Sequence, residues 1–264
     1  MAFLAVPGPF DFALTTERYR VFGVDRANVW HEGGLHRVVG GREVRIEAAP
    51  GGVAVEPLDA ETEPVANAVV GLAFDLPPFY AWAAGDDALA GVVPRLAGFR
   101  PTLTVDPFEM LVGAITAQQV SLFAALAIRN RLIERFGVRA GEAWSFPARE
   151  KLARAKEAEL VALGFSRRKA EYVVALARAD LDLGGLAALP DEEVRAQLVA
   201  QRGIGEWTAE WFLARHLARP NAWPAGDLAL RKAVAPLDVH AARIRFHPFE
   251  NLSAHYLLLA SRVP

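Results

Sequence analysis

The chain of 264 residues is long enough for two domains and a sizeable hydrophobic core. It contains no cysteine, which excludes disulfides, cysteine-ligated zinc, iron–sulfur clusters and a thiol nucleophile. The net charge is −2. Residues 1–100 contain 8 Arg and no Lys against 13 acidic residues, whereas the rest of the chain carries a net positive charge. Neither half is strongly basic, so any nucleic-acid footprint must be local. No apolar run reaches the roughly 18 residues of a membrane span and no charged signal region opens the chain, so we expect an intracellular protein.

Glycine pairs punctuate the first part of the chain at positions 33–34, 40–41 and 51–52. Between them, residues 43–48 and 53–56 alternate apolar and polar side chains, which is the period of a half-buried strand. Gly-Gly between such runs is a hairpin signal, so we predict an antiparallel meander, followed by a helix at about 64–74. The prolines at 77–78 and 94–101 indicate the exit from this small α+β unit.

From Asp106 onward the pattern is helical. Asp106 precedes Pro107, and Glu109 follows three residues after Asp106, which predicts an N-cap, a proline at N1 and a capping box. A long helix is predicted at 120–136, ended by Gly137. Further helices are predicted at about 147–154, 158–163, 167–179, 191–200, 206–215, 228–234 and 253–262.

The most informative segment, residues 201–209, reads Gln-Arg-Gly-Ile-Gly-Glu-Trp-Thr-Ala and joins two predicted helices. A tight helix–helix corner, with Ile204 as a hydrophobic plug between Gly203 and Gly205, explains this pattern structurally. The functional alternative is a phosphate site, because glycines allow close backbone approach and the N–H groups that open a helix attract anions. The glycines alone do not decide between the two.

Asp227 follows Trp-Pro-Ala-Gly and precedes a predicted helix. Its simplest role is a helix N-cap, worth about 1 kcal/mol. Donors at a helix start also favour an ionised carboxylate, which can orient water or stabilise developing positive charge. The two roles are compatible. Trp207 and Trp211 are four residues apart, and together with Phe249 they either pack in the core or form the wall of a pocket for a planar ligand.

Taken together, these motifs resemble the helix-hairpin-helix DNA glycosylases. The match runs from Ile-Thr-Ala-Gln-Gln-Val-Ser at 115–121, through Leu-Gly-Phe at 163–165 and Arg-Lys-Ala at 168–170, to the segments 203–209 and 224–227. Within that family the chain is most similar to the DNA-3-methyladenine glycosylase II (AlkA) type. The resemblance implies a mainly α fold with an N-terminal antiparallel α+β domain at 1–85. It also implies a helical subdomain made of 86–105 and 219–264, and a second at 106–218 that carries the hairpin.

The resemblance also assigns roles to individual residues. It makes Asp227 the catalytic carboxylate and places the base pocket at Trp207, Trp211 and Phe249. The residues expected to contact DNA are Gln119, Gly203, Ile204, Gly205 and Thr208. Trp207 stands where bifunctional members carry a nucleophilic Lys, and Gln119 stands where some members carry a Leu wedge. No cofactor is implied and no metal site is certain, although a monovalent cation at the hairpin carbonyls stays open.

The implied activity is monofunctional. The enzyme would flip alkylated bases such as 3-methyladenine and 7-methylguanine out of double-stranded DNA and hydrolyse the N-glycosidic bond in base excision repair, without an AP lyase step. Indole faces would attract a cationic methylated base, which is already a good leaving group. We expect a monomer in the cytoplasm, associated with the nucleoid and without a membrane partner.

Two alternatives to this activity stay open. A bifunctional or oxidised-purine glycosylase is disfavoured by Trp207 and by the absence of cysteine. A non-catalytic helix-hairpin-helix module that binds lesions is compatible with the hairpin but leaves the surroundings of Asp227 unexplained.

Overall fold

A computed structural model describes residues 1–263, and its N-terminal part is a five-stranded antiparallel sheet of order β1-β5-β4-β3-β2. The strands are β1 (Ala2–Ala5), β2 (Val29–His31), β3 (Gly34–Val39), β4 (Arg42–Ala49) and β5 (Gly52–Glu56). Val39 pairs with Arg42, so Gly40-Gly41 forms one hairpin turn, and Ala49 pairs with Gly52, so Pro50-Gly51 forms the next, with Gly52 already on β5. The prediction of an antiparallel meander is confirmed. A Cβ on Gly52 would lie 2.1 Å from the Leu4 carbonyl oxygen, so only glycine lets β1 lie this close to β5.

Four short helices lie in the N-terminal part of the chain: α1 (Phe12–Thr15), α2 (Arg18–Val21), α3 (Glu63–Val69) and α4 (Leu76–Ala83). The helix predicted at 64–74 ends five residues early. Gly71 takes a φ of +62°, and a Cβ there would lie 2.6 Å from the Pro101 carbonyl oxygen. Helix α4 was not predicted, because its prolines were interpreted as a break. They occupy its first turn, where a missing N–H costs nothing.

The remainder of the chain is almost wholly helical. Its helices are α5 (Pro107–Ala117), α6 (Leu122–Phe136), α7 (Arg149–Arg154), α8 (Glu157–Ala162), α9 (Arg167–Arg178), α10 (Asp191–Val199), α11 (Glu206–Arg215), α12 (Leu228–Ala233), α13 (Val239–Arg245) and α14 (Glu250–Ala260). A two-stranded ribbon, β6 (Arg139–Ala140) with β7 (Ala143–Trp144), follows α6. Helix α13, which Asp238 caps, was not predicted, and α14 begins three residues before its predicted start.

Two hydrophobic cores divide the described chain near residue 73. The sheet and α3 enclose the smaller core, and the larger one begins at Phe74 and extends to the C-terminal helices. Phe79 on α4 lies 4.9 Å from Tyr256 and 5.7 Å from Phe249, measured between ring centroids. The packing therefore groups α4 with the C-terminal helices, whereas a boundary at residue 85 stays a prediction. No helix within residues 1–263 has the length and apolarity needed to cross a bilayer.

A buried ionic network joins the sheet to the helices. Glu109 on α5 accepts a hydrogen bond from Arg37 on β3 at 3.0 Å and another from Arg129 on α6 at 2.6 Å. Arg129 also donates to Asp25 at 3.4 Å. Burial alone would raise the pKa of Glu109, but the charges of Arg37 and Arg129 outweigh burial and hold that pKa below its usual value.

The capping box predicted at the start of α5 forms only in part. Asp106 caps the helix, with its Oδ1 accepting from the N–H groups of Phe108 and Glu109. The Glu109 side chain points into the interface with the sheet instead of returning to Asp106. Two guanidinium partners stabilise a buried carboxylate more than one backbone N–H can.

Candidate active site

Asp227 is held at the start of α12 by four hydrogen-bond donors. Its Oδ1 accepts from the N–H groups of Ala229 at 2.9 Å and Leu230 at 3.0 Å, which is the expected N-cap geometry. Its Oδ2 accepts from the indole Nε1 of Trp207 at 3.1 Å and of Trp211 at 3.0 Å. A carboxylate offers about four lone-pair positions, so these contacts engage all of them and fix the group in place.

Trp207 and Trp211 reach Asp227 because they lie four residues apart on one face of α11. Side chains at this spacing stand one above the other on a helix. The same face continues to Arg215, four residues further on. Adjacent side chains of this row are about 6 Å apart along the helix axis, so the row runs from the hairpin end of α11 into the protein.

These side chains line a cavity of about 280 Å³ between the helices and the N-terminal part of the chain. Its charged lining residues are Arg18, Asp25, Arg37, Glu109, Arg129, Arg215, Asp227 and Arg262. Asp25, Arg37, Glu109 and Arg129 belong to the ionic network, and Arg262 pairs with Glu17 at 3.3 Å. The cavity is a partly open cleft with one fixed carboxylate on its wall and several guanidinium groups around it.

Arg215 covers one face of the Trp211 ring, with its guanidinium carbon 3.7 Å from the ring centroid. Burial and the like charges of Arg18 and Arg262 lower its pKa to about 9, whereas the charge of Asp227 acts in the opposite direction. Sequence reasoning missed Arg215. Its i+4 spacing from Trp211 was the signal that could have identified it.

His255 lies on another side of Trp211, with the two rings 5.7 Å apart in a T-shaped arrangement. Its Nδ1 lies 2.9 Å from the Asn251 carbonyl oxygen, which fits an Nδ1–H donor. Burial, with a smaller contribution from Arg215, lowers the pKa of His255 to about 3. The ring is therefore neutral at pH 7, and it supports Trp211 without adding charge to the cavity.

The hairpin at 201–205 contains two glycines, and the backbone and its surroundings require glycine at only one of them. Gly203 has a φ of +84°, and a Cβ there would lie 2.2 Å from the ring of Tyr172, so no side chain fits. Gly205 has nothing within 4 Å of its Cβ position and a φ of −109°. The N–H groups of Gly205, Glu206 and Trp207 find no acceptor within residues 1–263. These N–H groups, at the start of α11, face open space and are available to an anion.

A loop at 118–121, between α5 and α6, lies beside the hairpin. Gln118 donates from Nε2 to the Gly203 carbonyl oxygen at 2.9 Å, which ties the two together. Gln119 is exposed and takes a φ of +54°, an uncommon conformation for a residue with a side chain. The loop thus presents Gln119 to solvent on the hairpin side of the cavity.

Three of the residues assigned from the sequence lie outside the cavity lining within residues 1–263, and their expected roles stay predictions. Phe249 packs 5.4 Å from Trp82 and is not part of the cavity lining within residues 1–263. Thr208 is only 1% exposed, and its N–H already donates to the Gly205 carbonyl oxygen. The N–H of Ile204 donates to Gln201, and its side chain is the buried plug of the corner. Helix periodicity explains the burial of Thr208, because this residue lies on the inner face of α11.

The carbonyl oxygens of Gln201 and Gly203 in the hairpin each accept one protein hydrogen bond, which leaves a second lone pair on each. A monovalent cation at the hairpin carbonyls therefore stays a prediction. No group of three His, Asp or Glu side chains within residues 1–263 is arranged to hold a metal.

Comparison with known proteins assigns the family. A family model described as "HhH-GPD superfamily base excision DNA repair protein" matches residues 112–250. The chain is 31% identical over 164 residues to a Bacillus subtilis DNA-3-methyladenine glycosylase, covering 59% of this chain and 54% of that one. It therefore spans about half the length of the curated relatives that it matches.

Two solved structures share the fold. A 3-methyladenine DNA-glycosylase from Archaeoglobus fulgidus superposes with a TM-score of 0.87 at 27% identity, over 99% of this chain and 98% of that one. A Clostridium acetobutylicum 8-oxoguanine glycosylase/lyase superposes with a TM-score of 0.80 at 19% identity, over 96% of this chain and 92% of that one. The second likeness concerns the fold alone. The chain belongs to the HhH-GPD superfamily of base excision DNA repair proteins, and the predicted resemblance is confirmed.

Proposed function

We propose that the protein is a DNA glycosylase that extrudes an alkylated base from double-stranded DNA and hydrolyses its N-glycosidic bond. One observation carries this proposal: a carboxylate fixed by four donors, Asp227, lies on the wall of a cavity beside a helix start with free N–H groups. A cavity of about 280 Å³ has room for one extruded base. The printed names of relatives, among them DNA-3-methyladenine glycosylase, support the choice of alkylated bases.

Asp227 acts in this proposal chiefly as a fixed negative charge. As the glycosidic bond breaks, the sugar acquires oxocarbenium character, and a preorganised carboxylate stabilises that charge without reorganising. Since both Oδ1 and Oδ2 already accept two hydrogen bonds, a water molecule can approach Asp227 only by displacing a donor. Electrostatic stabilisation is therefore the main role of the Asp227 carboxylate, and orientation of water is secondary.

Within residues 1–263, no carboxyl group that lines the cavity is free to protonate the leaving base. Glu109 lines the cavity, but both of its carboxylate oxygens are engaged by guanidinium groups and its pKa lies below its usual value. An alkylated base that carries a positive charge needs no such donor, because it leaves as a neutral molecule. The chemistry of the site thus fits alkylated bases better than undamaged ones.

The absence of an AP lyase step is part of the same proposal. Trp207 stands at the hairpin position of a nucleophilic amine, and its indole N–H is engaged with Asp227. No Lys lines the cavity within residues 1–263, and Lys169 donates instead to the Thr116 carbonyl oxygen at 2.9 Å. Without an amine at the sugar no Schiff base forms, so the product is an intact abasic strand. We further propose that the protein acts as a monomer on cytoplasmic DNA.

The direct test incubates the protein with methylated duplex DNA and measures the free bases released. We expect 3-methyladenine and 7-methylguanine in the supernatant and no strand cleavage before alkali treatment. Binding to the DNA without base release would instead establish a non-catalytic lesion-binding module. A covalent adduct trapped by borohydride would establish a lyase.

Substitution of Gly205 tests the hairpin as a phosphate site. The change Gly205→Asp places a carboxylate at the free N–H groups of α11, so we expect at least tenfold weaker binding to every DNA sequence, damaged or not. Phosphate contacts position a protein without reading bases, so the loss should be uniform. Fluorescence anisotropy with damaged and undamaged duplexes measures it.

The matched control is Gly205→Asn. Asn and Asp are similar in size and cap helices about equally well, and the Cβ position is open, so both variants should fold alike. The two variants differ only in charge, and the Gly205→Asn protein should bind DNA more tightly than the Gly205→Asp protein. A loss restricted to damaged duplexes would show that the hairpin does not hold a phosphate.

Substitution of Gln119 tests a plug that fills the gap left by the extruded base. We expect Gln119→Ala to slow excision from duplex DNA several-fold and to leave excision from single-stranded DNA nearly unchanged, because only a duplex has a gap. Gln119→Gly is the control, since it removes the same side chain but suits the φ of +54°. Equal losses on both substrates would assign Gln119 to the packing of the loop.

A further inference from the structure

Arg215 lies at the inner end of the side-chain row on α11 that begins with Trp207. The hairpin, at the opposite end of the same helix, presents the N–H groups proposed to hold the DNA backbone. Asp227, which must lie close to the sugar, is fixed by the two indoles between these ends. A base attached to that sugar therefore extends toward Arg215, about one helical turn beyond Trp211.

The guanidinium of Arg215 has no hydrogen-bond or ion-pair partner in the part of the chain that the structure describes. It stacks on the Trp211 ring at 3.7 Å and lines the cavity. Stacking leaves the five N–H groups at the edges of the guanidinium plane free to donate. Arg215 is half-buried and its guanidinium has no protein acceptor within residues 1–263, so this group is suited to an acceptor that enters with the ligand.

We propose that Arg215 forms the floor of the base pocket and donates hydrogen bonds to an exocyclic carbonyl oxygen of the extruded base, so that the site prefers oxopurines to aminopurines. This inference rests on the proposed glycosylase function. A carbonyl oxygen accepts from the guanidinium, whereas an exocyclic amino group can only oppose it with another donor. Arg215 also occupies one face of Trp211, so that face is not available for the cation–π contact expected from the sequence.

One methylated duplex provides both arms of the test. Methylation of DNA yields 7-methylguanine, which has an exocyclic carbonyl, and 3-methyladenine, which has an exocyclic amino group. Both bases are cationic in DNA, so repulsion by Arg215 affects them alike, whereas at C6 the first carries an oxygen and the second an amino group. Chromatography of the bases released in a single reaction gives their ratio, which does not depend on the amount of folded protein.

We expect Arg215→Met to lower the release of 7-methylguanine about tenfold relative to that of 3-methyladenine, the usual size of a lost charge-assisted hydrogen bond. Arg215→Lys keeps one donor and the charge but loses the planar fork, so its ratio should be intermediate. Release of hypoxanthine, a neutral oxopurine, should fall together with that of 7-methylguanine. Arg154→Gln, at an exposed arginine on α7 outside the cavity lining, is the matched control and should keep the wild-type ratio.

Several results would overturn the assignment of Arg215. They are an unchanged ratio in Arg215→Met, a greater loss of 3-methyladenine, or a wild-type protein that releases 3-methyladenine alone. A rise in release of both cationic bases at constant ratio would show that Arg215 acts through its charge and not through a hydrogen bond. If the wild-type protein releases no base at all, the glycosylase function itself fails, which is a distinct outcome.

Discussion

Replacement of Asp227 by Asn should lower the rate of base release by about 100-fold or more while DNA binding persists. Loss of one preorganised electrostatic partner of a transition state typically costs two to three orders of magnitude. Asn is neutral, so it cannot stabilise a developing oxocarbenium ion. Single-turnover release of 3-methyladenine, with protein in excess over DNA, measures the effect apart from product release.

The stability of Asp227→Asn needs a separate measurement. The Asn oxygen can cap α12, but its amide nitrogen then faces the indole N–H groups of Trp207 and Trp211, which lose their acceptor. We expect a loss of about 1–3 kcal/mol in the free energy of unfolding, which leaves the protein folded at the assay temperature. A folded Asp227→Asn protein that excises at nearly the wild-type rate would reduce Asp227 to a helix cap. If the loss of activity in Asp227→Asn matched the fraction of the variant that is unfolded, Asp227 would likewise be reduced to a helix cap.

Replacement of Glu109 by Ala should destabilise the fold by about 3–5 kcal/mol, because two buried guanidinium groups lose their shared partner. Glu109 is only 3% exposed, and it connects β3 to α6 through Arg37 and Arg129. Urea denaturation should show a lower midpoint with a similar slope.

Glu134→Ala is the matched control for this effect. Glu134 pairs with Arg26 at 2.6 Å between the same parts of the chain, but both side chains are about 40% exposed. An exposed pair contributes at most about 1 kcal/mol, so this variant should unfold near the wild-type midpoint. Similar losses in Glu109→Ala and Glu134→Ala would contradict the importance of the buried network.

The same network makes stability depend on pH in a defined direction. The pKa of Glu109 in the folded protein lies below its usual value, whereas in the unfolded chain it takes that value, about 4.3. The stabilisation is therefore fully present above about pH 4.3 and is lost as the pH falls through the folded-state pKa. Glu109→Ala should flatten this acid dependence relative to the wild-type protein.

Local chemistry explains why much of the fold was predictable. Glycines between alternating strands place the hairpins, and Asp106 accepts hydrogen bonds from the first turn of α5. These signals act within a few residues, so they can be recognised in the sequence without knowledge of the rest of the chain. Two of the errors occur where a distant segment intervenes: Gly71 ends α3 against Pro101, and Glu109 turns toward Arg37 on the sheet.

The candidate site shows the same division. The sequence by itself indicated Asp227, the two indoles and the hairpin glycines, because helix spacing and the motif order are properties of the chain. Only the tertiary structure placed both indole N–H groups on one oxygen of Asp227, Arg215 on the face of Trp211, and Phe249 against Trp82. Periodicity specifies which residues share a helix face, but the partner of that face comes from elements far away in the chain. Contacts between distant elements depend on how the two cores pack together, and a linear pattern does not encode that packing.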